Sequence, residues 1–155
     1  MSSSVLQLRI SRRHLPHWSL AGSTYFVTFR LRAGRLTHQE VDLVKQHIVR
    51  GDARYYQLLA VQVMPDHVHL VLRPCQEFAL SRVMKGIKGA TARRLNVRRG
   101  TQGSLWQDEY FDRLLRDEAE LHQKLNYMFM NSVKAGLTKN PWSYRGWYLN
   151  QQVQT

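Results

Sequence analysis

Two histidines, His67 and His69, stand two residues apart in the run Met64-Pro65-Asp66-His67-Val68-His69-Leu70-Val71-Leu72. An extended strand alternates its side chains between faces, so both imidazoles point one way while Val68, Leu70 and Leu72 point into a core. Paired imidazoles on a rigid strand supply half of a site for a divalent cation. Further along, Tyr127 and Asn131 lie four residues apart, a spacing that puts them on one face of a helix. The Asn131 amide oxygen would make a third ligand and leave open positions that suit phosphate oxygens. A cation held there would act as a Lewis acid on phosphorus. The Tyr127 phenol, one turn away, would attack as nucleophile. A phenol has an ordinary pKa of about 10, so its ionisation near neutrality calls for help from the cation, from Lys134 or from the substrate. Taken singly, each residue has a plainer reading, as a surface imidazole or an exposed amphipathic tyrosine. Their combination is what favours chemistry.

The elements that must carry these residues follow from periodicity. Thr24 to Leu31 reads as a strand with Tyr25, Val27, Phe29 and Leu31 on one face. From Thr37 to about Val49 the period becomes helical, with Thr37 as N-cap, Glu40 three residues on and Gly51 as the stop. Arg54 to Val63 reads as a second strand. The short break Met64-Pro65-Asp66 joins it to the histidine strand as an antiparallel hairpin. A basic helix is expected from about Ala79 to Asn96, with Val83, Ile87, Ala90 and Leu95 as its core face. Leu105 to Arg116 reads as a final strand region. A last helix begins at the Asp117 cap and runs to about Ala135, with Gly136 as its left-handed stop. Leu121, Leu125, Met128, Phe129 and Val133 form its apolar arc; Glu120, Gln123, Lys124, Tyr127, Asn131 and Lys134 lie opposite. The expectation is one domain over 1–155, with a basic N-terminal arm at 1–21 and an aromatic tail at 140–155 that packs over the sheet or contacts bases.

Charge narrows the partner. Twenty-three Lys and Arg face eleven acids, for a net +12. Most of the bases are Arg, whose planar fork suits bidentate phosphate contacts. Such an excess favours a polyanion, most often nucleic acid. From Arg82 to Arg99 there are seven bases and no acid: Arg82, Lys85, Lys88, Arg93, Arg94, Arg98 and Arg99. Read as a phosphate track, they join Arg12 and Arg13 of the N-terminal arm and Lys134 as expected DNA contacts. The hydrophobic content of 43% argues against a disordered chain. No apolar run approaches the ~18 residues of a membrane span, and a single cysteine, Cys75, precludes an internal disulfide. A cytoplasmic, nucleoid-associated location without membrane partners is the expectation.

The histidine–hydrophobic–histidine strand with a tyrosine on a downstream helix resembles the HUH single-tyrosine transposases of bacterial insertion sequences. It looks more closely like their domesticated relatives, the REP-associated tyrosine transposases. The resemblance rests on Tyr25–Phe29, on Met64–Leu72, on Trp106-Gln107 through Tyr110-Phe111-Asp112-Arg113 with Arg116-Asp117-Glu118, and on Tyr127-Met128-Phe129-Met130-Asn131-Ser132-Val133-Lys134-Ala135-Gly136-Leu137. It implies an α+β fold, an antiparallel sheet flanked by helices in the ferredoxin-like arrangement of HUH endonucleases. It also implies cleavage of single-stranded DNA beside hairpins, at REP-like or insertion-sequence ends, with Mg²⁺ or Mn²⁺. On this mapping His67, His69 and Asn131 are ligands and Tyr127 becomes joined to the 5′ phosphate. The family commonly has proline after that asparagine, where this chain has Ser132, so a helix bend from a missing N–H is not expected here. Monomers and homodimers both occur among such proteins.

Two other classes compete. A non-catalytic single-stranded nucleic-acid module of ferredoxin-like fold would stack bases on Tyr25, Phe29, Tyr55 and Tyr56, and would leave the His and Tyr/Asn pairs without a role. A metal hydrolase built on His-x-His would want a further ligand cluster, and the sequence has none.

Overall fold

The computed structural model describes residues 22–150; the basic arm at 1–21, with Arg12 and Arg13, lies outside the described residues. The chain runs β1 (Thr24–Arg30), α1 (His38–Arg50), β2 (Tyr56–Val63), β3 (His67–Pro74), α2 (Leu80–Arg99), β4 (Phe111–Leu115), α3 (Glu118–Lys134) and β5 (Trp147–Leu149). The strands form one antiparallel sheet in the order β4-β1-β3-β2-β5. This is the expected α+β architecture, a βαββαβ core with a helix and a short strand appended.

The sheet buries both faces. On one, Val27, Phe29, Leu58, Val61, Val63, Val68, Leu70 and Leu72 pack with Val41, Val44 and Ile48 of α1 and Val83, Met84, Ile87 and Leu95 of α2. On the other, Phe26, Leu59, Ala60 and Val71 pack with Leu121, Leu125, Met128 and Phe129 of α3. A bulge in β2 between Leu58 and Ala60 puts Leu59 and Ala60 on the same face and restores alternation from Val61 onward. The histidines therefore stand on the α3 face, as the period-two reading requires, while α1 and α2 cover the other.

Local signals explain the helix ends. Thr37 and Glu40 form a reciprocal capping box at α1. At α3, Asp117 accepts from the Glu120 amide, but the Glu120 side chain accepts from the amide of Arg116 instead of closing a box. Gly136, at φ 74°, ends α3 in a Schellman turn, with the amides of Gly136 and Leu137 donating to the carbonyls of Val133 and Ser132. The helix passes through Ser132 unbroken.

Four expectations change. Ser132, not Val133, occupies the buried arc of α3, because at about 100° per residue it falls inside the arc of Leu121, Leu125, Met128 and Phe129 while Val133 falls at its edge. The expected strand from Leu105 pairs continuously only over Phe111–Leu115. The stretch before it is held by Trp106, which bridges to Leu31 and donates its indole N–H to Thr91. The tail does not simply overlie the sheet: Trp147–Leu149 extends it by pairing with β2. Finally, the stacking platform required of a non-catalytic module does not form. Phe29 and Tyr56 are core residues and Tyr25 packs under the helices, leaving only Tyr55 of the four exposed.

Candidate active site

The site is assembled on three rungs of β1 and β3 beneath α3. His69 pairs in register with Thr28, and His67 with Arg30. The two imidazole rings are 4.7 Å apart, centroid to centroid. His69 is buried, and its Nδ1 lies 2.7 Å from the Thr28 hydroxyl. Its Nε2 is also buried and has no partner. Burial first, then the positive charges of His67, Arg30 and Lys124, push its pKa down to about 3. The ring is thus neutral near pH 7. With the proton on Nδ1, Nε2 presents a lone pair. His67, half-buried, donates Nδ1–H to the Asp66 carboxylate at 2.7 Å, and that bond holds the Asp66 carboxyl below its usual range. Both imidazoles therefore have Nδ1 engaged by an oxygen, the arrangement that orients Nε2 toward a cation and fixes the tautomer.

Tyr127 comes down from α3. Its ring lies 5.6 Å from that of His69 and 6.2 Å from that of Phe26, yet it is 45% exposed. Tyr127 thus meets a buried imidazole while its ring stays open to solvent. Lys124, one turn earlier, puts its ammonium 5.5 Å from the Tyr127 ring centroid and 4.8 Å from that of Phe26. Lys134, considered from sequence as the helper of the phenol, is seven residues beyond it, about 10 Å along the axis, and exposed. The open cleft here has a volume of about 620 Å³ and includes Thr28, Arg30, His69, Tyr110, Lys124 and Tyr127.

Asn131 is half-buried, one turn beyond Tyr127 on the same helix. Among the described residues no group of three or more His, Cys, Asp or Glu gathers to hold a metal, and Asn131 does not line the cleft shared by His69 and Tyr127. The unpartnered Nε2 of the neutral His69 ring is a borderline donor of the kind that fits a divalent cation.

The bases of α2 sit on the opposite face of the sheet. Arg82 and Arg94 line a cleft of about 540 Å³ against α1 with Arg50 and Arg54. Lys85, Lys88 and Arg93 line another of about 650 Å³ beside the 103–110 segment. Gln107 and Tyr110 border both this second cleft and the one at Tyr127, so the two are contiguous around the sheet edge. Arg82 stacks over the Phe78 ring at 5.4 Å, and three others hydrogen-bond within the protein. Lys88 donates to the carbonyls of Gln107 and Asp108 at 2.6 and 2.9 Å, Arg98 to Gln39, and Arg99 to both oxygens of buried Glu40.

Thr28, Lys124 and Gln62, which pairs with His69 from β2, were not singled out from sequence. Asp66, adjacent to His67, was the one further participant that the linear motif displayed.

Over residues 27–128 the chain matches the family described as "Transposase IS200 like", and it belongs to that family. It is 24% identical over 111 residues to a REP-associated tyrosine transposase homologue of Haemophilus influenzae, covering 64% of this chain and 63% of that one. It is 37% identical over 60 residues to the ISDra2 transposase TnpA of Deinococcus radiodurans, covering 35% and 43%. The chain thus spans less than two thirds of the length of either relative. Among solved structures, that of a REP-associated tyrosine transposase bound to a REP hairpin superposes with a TM-score of 0.59 at 20% identity, over 81% of this chain and 75% of that one. That likeness supports the fold. No helix among the described residues is long and apolar enough to cross a membrane.

Proposed function

We propose that this chain is a metal-dependent single-stranded DNA endonuclease and strand transferase acting beside DNA hairpins. The observation that carries the reading is the 5.6 Å approach of the solvent-open Tyr127 ring to His69, whose buried Nε2 is free. His67, His69 and Asn131 would hold Mg²⁺ or Mn²⁺. Lys124 lies beside Phe26, and the Tyr127 ring meets both Phe26 and His69, which stack on each other. A bound cation would supply Lewis-acid activation of the scissile phosphate.

The residues of the chain do the rest. The Tyr127 oxygen attacks phosphorus and forms a new P–O bond. The bond from phosphorus to the 3′ oxygen breaks, and that oxygen leaves as a 3′ hydroxyl after taking up a proton. The phenol's proton passes to solvent, and Lys124 stabilises the charge on the phenolate and the phosphate. The phosphotyrosine preserves the ester, so another strand's 3′ hydroxyl can reverse the step and rejoin DNA. The approach of Tyr127 to His69 within one chain supports a site built by a single protomer, in a monomer or in each half of a homodimer. Lys85, Arg93, Arg94, Arg82 and Lys134, with Arg12 and Arg13 of the arm, would contact phosphates, while Lys88, Arg98 and Arg99 do so only by sharing their present partners. A cytoplasmic, nucleoid-associated location belongs with this reading.

The reading is tested by incubating the protein with hairpin-bearing single-stranded oligonucleotides from the DNA flanking its coding region, with Mn²⁺ or Mg²⁺. A protein–DNA adduct stable to denaturing electrophoresis, lost with chelator and in His67→Ala, is the expected result. Binding with no cleavage under any metal would favour the nucleic-acid-binding module.

A further inference from the structure

The α3 face of β2 carries Leu59 and Ala60 and then an amide, Gln62, which is fully buried. Gln62 is the register partner of His69 on one side and of Trp147 on the other. Its Nε2 donates at 2.9 Å to the carbonyl of Met128, the residue next to Tyr127. Its Oε1 is buried with no partner. Packing does not ask for an amide here, since a leucine or methionine of similar volume would fill the space without stranding an acceptor. What the amide adds is direction. Leu121, Leu125 and Phe129 hold α3 to the sheet through apolar contacts, which constrain sliding and rotation less than a hydrogen bond does, and the ion pair of Glu120 with Arg113 of β4 lies about two turns before Met128.

We propose that Gln62 is the positioning residue for the tyrosine: bonded to the Met128 carbonyl and seated on the rung of His69, it fixes the turn of α3 that holds Tyr127 over the imidazoles. The inference rests on Tyr127 being the nucleophile for its kinetic part only. The bond joins the sheet to the one turn whose neighbour must stay in register with the histidines, and it does so from the strand adjacent to them. Misplacement of a reacting group by about 1 Å can cost roughly a hundredfold in rate, so a single directional tie at this turn is sufficient to control the step.

The test uses the full chain with Gln62→Leu and Gln62→Glu. Leucine removes the donor together with the stranded acceptor; glutamate keeps the shape and, held protonated by so buried a position, can still donate to the Met128 carbonyl. The expected result for Gln62→Leu is an unchanged or raised melting temperature and Mn²⁺ and oligonucleotide affinities within about twofold. The single-turnover rate of adduct formation should fall roughly ten- to a hundredfold, with amide exchange faster over 125–133. Gln62→Glu should retain most of the parent rate at neutral pH. An adduct rate within twofold of the parent in Gln62→Leu would overturn the proposal, as would a rate loss matched by lost metal affinity and a lowered melting temperature. Should the parent form no adduct at all, the functional reading fails by itself, and the exchange comparison decides Gln62: unchanged exchange over 125–133 would overturn it.

Discussion

The Thr28 hydroxyl and His69 Nδ1 lie 2.7 Å apart across adjacent strands, and this contact decides which nitrogen of the buried imidazole is free. Thr28→Val keeps the β-branched shape and removes the partner. Outer-shell partners of a ligating histidine are typically worth ten- to a hundredfold in metal affinity. A loss of about that size in Mn²⁺ affinity is expected by calorimetry, with Thr28→Ser close to the parent. Equal affinities for Val and Ser would show that the hydroxyl does not orient the ring.

Lys124 is the cation beside the phenol. Lys124→Ala should slow adduct formation by about tenfold or more while oligonucleotide affinity changes little, because the charge counts most where negative charge develops. Lys124→Arg should retain part of the rate, and Lys134→Ala should leave the rate unchanged. A loss confined to affinity would place Lys124 among simple phosphate contacts.

Glu40 gives a stability prediction independent of catalysis. Its side chain is almost fully buried and is held by Arg99 and by the Thr37 amide. The Arg99 hydrogen bond is the largest cause of its lowered pKa, against opposing burial. A carboxyl whose pKa is depressed on folding stabilises above its unfolded pKa, and this contribution is lost as pH falls through the folded value. Urea midpoints should therefore decline below about pH 4.5, and Arg99→Ala should flatten that decline. The same variant should lose about 3 kcal/mol at pH 7, since it leaves a buried carboxylate without its main partner. A variant as stable as the parent would show that water satisfies Glu40.

The α2 bases differ in their availability. Arg93→Ala and Arg94→Ala should each weaken oligonucleotide binding and lower the salt slope by about one unit. Arg99→Ala should leave the slope nearly unchanged because its guanidinium is committed to Glu40. Fluorescence anisotropy across a salt series measures this directly, and equal slopes for all three would contradict it.

Much of this was legible in the chain because the signals are local. Thr37 and Glu40 announced the α1 cap, Gly136 the end of α3, and the two-residue spacing of His67 and His69 their common face. What escaped depends on register. Thr28 and Gln62 flank His69 only once three strands are aligned, and no period in the sequence aligns them. Trp147–Leu149 is too short to show alternation, so β5 read as tail. The basic run of α2 showed an amphipathic helix, but an amphipathic pattern does not say which face of a sheet the helix covers. Lys124 was visible on the same arc as Tyr127, yet its preference over Lys134 needed the rings of Phe26 and Tyr127 in place.

The central claim is that the Tyr127 phenol becomes the covalent partner of DNA, and peptide mapping tests it most directly. After reaction with a hairpin-bearing oligonucleotide and Mn²⁺, proteolysis and nuclease trimming, the nucleotide mass should reside on the peptide containing Tyr127. Tyr127→Phe should form no adduct while binding the oligonucleotide as before. An adduct that persists in Tyr127→Phe, or a nucleotide found on Tyr110 across the same cleft, would contradict the account.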